Sequence, residues 1–261
     1  VSAAGQTAAD PVGAAIAQAA PAALAAKAHQ PAARMAVLAI LAGAFIALGG
    51  VASLVAQANM GDAGAVSLLA GAAFSVGLMM VMIVGAELFT GNTLMVLPLM
   101  TADLTVPRMV AAWGLVWLGN LVGSVGIALL FAAAGGLDGG VGTAAIALVG
   151  DKLGKPPHAV FSSGILANLL VCLAVWMALL ARTIPAKILA IVGPVTIFVA
   201  AGLEHSVANM SILPLGWLAG AAPDLAGGAS NLLFSTLGNV VGGSILAIGV
   251  AYGHDALRRA R

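Results

Sequence analysis

The chain has 261 residues, 62% of them hydrophobic and only 7% charged, with 34 glycines, a formal net charge of +1 and one cysteine. Average globular usage is about 25% charged residues, so this composition excludes a water-soluble enzyme, a disordered chain and a nucleic-acid binder. The single Cys172 excludes a disulfide framework and a thiolate metal site, and what remains is an integral membrane protein built of helices or a closed barrel.

The first 34 residues are Ala-rich. Asp10-Pro11 predicts a helix start, with Asp as cap and Pro in the first turn. Ile16 and Leu24 of that helix are expected on the membrane surface. No basic region precedes the apolar part, so the stretch does not read as a signal peptide. Residues 1–34 are therefore set apart as an interfacial segment, 35–254 as the transmembrane domain and 255–261 as a basic cytoplasmic tail.

Charge-free stretches run over 35–61, 63–86, 88–102, 109–137, 159–181, 188–203, 206–223 and 225–253. They are continuously apolar, which excludes barrel strands with their alternating pattern. A spanning helix needs about 20 apolar residues, and 35–61, 109–137, 159–181 and 225–253 satisfy this alone. The other four form two pairs, one interrupted at Glu87 and one at Glu204-His205. Reading each pair as one broken span gives six spans. Lys27, Arg34, Arg108, Arg182, Lys187, Arg258, Arg259 and Arg261 fall on one side, Lys152 and Lys155 on the other. The excess of Lys and Arg puts both termini in the cytoplasm.

The chain repeats itself. Leu118-Gly119-Asn120-Leu121-Val122-Gly123-Ser124 matches Leu237-Gly238-Asn239-Val240-Val241-Gly242-Gly243. Gly85-Ala86-Glu87, Asn92 and Leu97-Pro98-Leu99 match Gly202-Leu203-Glu204, Asn209 and Leu213-Pro214-Leu215. Three spans per half make the halves enter the membrane in opposite directions, the plan of many transporters, with a binding site near the midplane where equivalent helices are interrupted. The Gly-x-x-x-Gly pairs read as close helix packing. Asn120 reads as a partner for neighbouring helices, and Asn239 also as a pore contact.

At each interruption the N-terminus of a half-helix carries partial positive charge and favours an anion. Thr90 and Asn92 are expected to cap one, Ser206 the other. Glu87 and Glu204 are expected to accept free backbone N–H groups beside the breaks. His205 is an ionisable residue deep in an apolar span, a functional candidate by default, and its ordinary pKa of about 6.5 suits proton exchange. Ligand spacing for a metal is lacking and no cofactor motif is present, so neither is expected. Ser206 beside His205 does not make a hydrolase. The chain is read as a channel and not an enzyme.

At these same residues the sequence resembles the formate/nitrite transporter family. The motifs are Gly85-Ala86-Glu87-Leu88-Phe89-Thr90-Gly91-Asn92 and Gly202-Leu203-Glu204-His205-Ser206-Val207-Ala208-Asn209-Met210. The repeated Leu-Gly-Asn segments and the run Asn168-Leu169-Leu170-Val171-Cys172 support them. The resemblance implies an all-α, aquaporin-like inner-membrane fold and a homopentamer with one pore per protomer. It implies small weak-acid anions, nitrite, formate or hydrosulfide, together with protons. It makes His205 the central proton-exchanging residue and Thr90 its partner, with Asn168 and Asn239 as polar neighbours. Phe74 and Leu78 with Phe198 become an apolar constriction, Leu88 the loop gate, and Lys152 the basic residue of the outer mouth. Glu87-Leu88-Phe89-Thr90-Gly91 looks closer to the nitrite branch, Leu213-Pro214-Leu215-Gly216 to the formate branch. A neutral-solute channel of the same plan is the alternative from another class.

Overall fold

The computed structural model describes residues 12–58, 60 and 64–255. The expected cap at Asp10-Pro11 and the basic tail at Arg258, Arg259 and Arg261 lie outside them. Everything described is helix and connection. In chain order the helices are α1 (Val12–His29), α2 (Ala32–Gln57), α3 (Gly64–Val84), α4 (Phe89–Asn92), α5 (Val96–Met100), α6 (Val106–Ala133), α7 (Gly140–Leu153), α8 (Pro157–Leu180), α9 (Ile184–Ala200), α10 (Ser206–Leu218) and α11 (Leu225–Gly253). A short 3₁₀ turn, Thr93–Met95, joins α4 to α5. Helices satisfy their own backbone polar groups, which lipid cannot do. Their starts follow local chemistry: α6, α8 and α9 carry proline in the first turn, and Thr183 and Asp224 accept N–H groups at the heads of α9 and α11.

Five helices, α2, α3, α6, α8 and α11, are long and apolar enough to cross a bilayer. Residues 89–100, α9 and α10 are apolar but shorter. The first part of the expected second span, α3, reaches spanning length by itself. Its counterpart α9 has 17 residues, about 26 Å at 1.5 Å per residue, and falls short alone.

The packing is paired. α2 lies against α6 and α3, α8 lies against α11 and α9, and α3 meets α9 across the two halves. Small residues allow the close crossings. A Cβ on Gly123 would run into the Ile40 carbonyl, and one on Gly242 into the Ile165 carbonyl. Helix α1 contacts α5, α6 and α8. Ile16 and Leu24, expected on the membrane surface, face protein instead: Leu24 is buried in the core and Ile16 packs against it. Burying them against an apolar body removes the surface that a membrane contact would otherwise cover.

Candidate functional site

α3 and α9 both end on a glycine in the left-handed region, Gly85 at φ +78° and Gly202 at φ +62°. A Cβ at either would meet nothing within 4 Å, so the backbone angle and not space requires glycine. The chain then runs extended, and the next helix starts after Leu88 in one half and after His205 in the other. Leu88 and His205 are thus equivalent positions of the repeat, 117 residues apart.

Each break is braced by an asparagine from the next long helix. Asn120 accepts the Phe89 N–H (2.9 Å) and donates to the carbonyls of Ala39 and Glu87. Asn239 accepts the Ser206 N–H (2.8 Å) and donates to the carbonyls of Gly164 and Glu204. These amides satisfy the backbone that the interruption strands. Three expectations are corrected here. Asn239 directs its whole amide to backbone, as Asn120 does, and not toward a pore. Thr90 and Asn92 do not cap α4, whose first N–H is taken by Asn120. Ser206 does not cap α10: its hydroxyl is buried without a partner among the described residues, and the cap is the His205 ring. A ring one position earlier already reaches the Ala208 N–H and leaves Ser206 nothing to cap.

The carboxylates do not take backbone N–H groups either, because the asparagines have done so. Glu87 accepts Lys27 Nζ at 3.2 Å, Gln30 Nε2 at 2.8 Å and Asn92 Nδ2 at 2.9 Å. Glu204 accepts Lys152 Nζ at 3.1 Å, Lys155 Nζ at 2.6 Å, Asn209 Nδ2 at 2.7 Å and Asn231 Nδ2 at 3.3 Å. Three partners correspond: Lys27 with Lys152 and Gln30 with Lys155 are each 125 apart, and Asn92 with Asn209 is 117 apart, while Asn231 has no counterpart at Glu87. Sequence reading missed Lys27, Gln30, Lys155 and Asn231 as carboxylate partners. The shift of eight between the two offsets hides the match, and a gapped self-comparison extended to α1 and α7 would expose it. Lys152 is buried, not simply placed at a mouth, though it also walls a cavity.

Between the clusters lies the imidazole. Nδ1 of His205 accepts the Ala208 N–H at 3.1 Å, so Nε2 carries the proton and donates to Thr90 Oγ1 at 2.9 Å, a tautomer assigned from this network. The Thr90 hydroxyl has no other partner among the described residues, which leaves its proton available. Asn168 holds this end of α4, donating to the Thr90 carbonyl, Thr93 Oγ1 and the Asn239 carbonyl. Phe198 stacks on His205 with centroids 5.6 Å apart, and Phe74 meets Phe198 edge-on, also at 5.6 Å.

Three cavities stand in series. The central one is small and is walled by His205 with Ile46, Val171, Leu78, Leu88, Phe74 and Phe198. Phe74 and Phe198 also wall a larger cavity lined by Lys152, Ser53 and Gln57. Leu78 and Leu88 also wall a third, lined by Lys27 and Asn92. The expected single constriction of Phe74, Leu78 and Phe198 therefore divides. Phe74 and Phe198 stand on the Lys152 side of His205, and Leu78 pairs with Leu88 on the Lys27 side.

Two basic vestibules, separated by apolar rings and a single buried imidazole inside an apolar helical body, define a membrane transport protein with a narrow pathway. The sequence profile described as "Formate/nitrite transporter" matches residues 14–253. The "Nitrite transporter NirC" of Salmonella typhimurium (strain LT2) is 40% identical over 216 residues, covering 81% of this chain and 79% of that protein. The "Formate channel FocA" of Escherichia coli (strain K12) is 35% identical over 239 residues, covering 82% and 84%. Among solved structures, one titled "FNT family ion channel" superposes with a TM-score of 0.83 at 35% identity, covering 92% of this chain and 98% of that one. Another, "Pentameric formate channel with formate bound", gives 0.78 at 32% identity, covering 87% and 98%. The chain belongs to the formate/nitrite transporter family.

Proposed function

We propose that the protein conducts small monovalent weak-acid anions, nitrite foremost and formate next, with proton exchange at His205. In this reading α9 with α10, and α3 with residues 89–100, count as interrupted spans, making six in a 3+3 inverted repeat. Five copies assemble, each with its own pathway, in the inner membrane, and both termini face the cytoplasm. The relatives' names support nitrite and formate alike, and the pentameric neighbour supports the assembly.

The carrying observation is an imidazole pinned between two apolar rings, its Nε2–H donated to the Thr90 hydroxyl at 2.9 Å. An isolated ion in such low dielectric is very costly. Lys152 and the half-helix ends concentrate the anion at the vestibule. His205 Nε2–H and the Thr90 hydroxyl then replace part of its hydration. Imidazolium forms only when Nδ1 releases the Ala208 N–H, so the neutral ring is the resting form, and an anion beside it compensates the charge. A proton from the vestibule water converts the ring to imidazolium, Nε2 passes its proton to the anion, the neutral acid crosses the second ring, and the proton is released to water in the far vestibule, leaving His205 neutral.

The test is labelled nitrite and formate uptake into proteoliposomes at two pH values, with wild type and His205→Asn. Asparagine caps a helix well, so the variant keeps the α10 start while losing the titratable ring. We expect uptake to fall at least about tenfold and its pH dependence to vanish. Unchanged, equally pH-dependent uptake would overturn the exchange role. Glycerol or water flux without anion flux in the wild type would overturn the anion reading itself.

A further inference from the structure

In their ionic groups the two carboxylate clusters are copies of each other at every position but one, and the second also holds the uncharged Asn231. Lys27 matches Lys152, Asn92 matches Asn209 and Glu87 matches Glu204, yet Gln30 stands where the second half has Lys155. The two odd members occupy the same place. Gln30 Nε2 reaches Glu87 Oε1 at 2.8 Å, and Lys155 Nζ reaches Glu204 Oε1 at 2.6 Å. The other oxygen of each carboxylate takes the matched lysine. Counting the ionic groups in contact among the described residues, the Glu87 cluster holds one lysine and one carboxylate, and the Glu204 cluster holds two lysines and one carboxylate.

That difference falls at the pathway. Glu204 is fully buried, and Lys152 and Gly202 wall the larger vestibule. Lys155 donates to the Gly202 carbonyl at 2.6 Å as well as to Glu204. With Lys155 balancing Glu204, the charge of Lys152 is left for the vestibule. At the other end Glu87 has Lys27 alone, so that lysine's charge is largely cancelled before an anion meets it. Two further charges lie near and do not restore the balance. Arg108 donates to the carbonyls of Ala28 and Gln30 at the end of α1, where it offsets the negative helix terminus. Asp151 is exposed, where solvent and salt screen it.

We propose that the Lys155/Gln30 difference makes anion capture directional: the pathway binds its anion more readily from the α7 vestibule than from the α1 vestibule, and Lys155 is the positioning residue that sets this. The inference rests on the anion-channel reading above. A fixed charge in a passive pathway leaves the equilibrium distribution alone. It lowers the half-saturating concentration on one side, and the maximal rates adjust so that no net flux occurs without a gradient.

The experiment is one-sided anion current in planar bilayers containing the intact protein, using nitrite and formate, with half-saturation measured from each face. Lys155→Gln, Gln30→Lys, the double exchange and Lys155→Arg are compared with wild type. In wild type, half-saturation is expected at lower concentration from the α7 face. Lys155→Gln should raise it on that face by about threefold or more at low ionic strength and leave the other face unchanged, the effect shrinking in about 1 M salt. Lys155→Arg should restore it, and the double exchange should invert the asymmetry. Equal half-saturation from both faces in wild type, or the same change on both faces in Lys155→Gln, overturns the proposal. If Lys155→Gln fails to fold, Gln30→Lys alone decides, since it adds a charge at an accessible cluster and must improve capture from the α1 face only. Absence of any anion current in the wild type defeats the anion-channel reading instead, so the two failures are distinct.

Discussion

At the residue scale the site is a matter of which polar groups take which stranded partners. Asn120 and Asn239 each satisfy two backbone groups of an interrupted segment and one carbonyl of a neighbouring helix. Leaving a buried donor or acceptor unpaired costs about 1–3 kcal/mol. Asn239→Ala should therefore destabilise the protein by at least about 2 kcal/mol, read as a lowered detergent-melting temperature, and Asn120→Ala should do the same. A melt unchanged in Asn239→Ala would mean that the amide is not the brace. The importance of Glu87, His205 and Glu204 was legible in the sequence, because ionisable residues in apolar spans stand out. Their partners were not. Spacing says that a carboxylate must be satisfied and leaves open whether a backbone N–H, a lysine or an amide does it. Asn120 and Asn239 claimed the N–H groups, and Lys27, Gln30, Lys152 and Lys155 filled the vacated role.

At the element scale the apolar runs and the two interruptions were readable, because charge-free length and a Gly-x-Glu motif both leave a mark on sequence. The role of α1 was not. Its composition resembles an interfacial helix, and only the packed structure shows Leu24 buried and Lys27 on Glu87. The crossings, by contrast, follow from glycine placement. Gly123 sits where a Cβ would strike the Ile40 carbonyl, and Gly126, one turn on, has nothing within 4 Å. Gly123→Ala should cost about 1–3 kcal/mol through forced separation of α6 from α2. Gly126→Ala should be neutral or stabilising by up to about 1 kcal/mol, since alanine holds a helix better. Thermal melting of the two variants side by side checks this, and equal behaviour would contradict the close crossing.

At the scale of the whole molecule, the duplicated body places one chemically different residue at its centre. Leu88 and His205 occupy equivalent positions, and Ile46 with Val171, like Leu78 with Val195, wall the same central cavity from opposite halves. Duplication thus supplies three matched pairs of the sleeve, Phe74 and Phe198 complete it without counterparts, and the Leu88/His205 difference supplies the polar group. Such a sleeve opposes a bare charge because its walls offer no hydration. On the Lys152 side the sleeve's wall is Phe74 with Phe198. Truncating Phe198 would also free the ring it stacks on, His205, so Phe74 is the cleaner probe. Phe74→Ala joins the Lys152 vestibule to the central cavity and lets water follow the anion inward. Anion conductance should then rise several-fold, about 1 kcal/mol of barrier for each fivefold gain, with weaker discrimination against larger anions such as acetate. Single-channel current in planar bilayers measures both. Conductance and selectivity equal to wild type would move the controlling barrier to the Leu78/Leu88 ring, where Leu88→Ala should then produce the same gain.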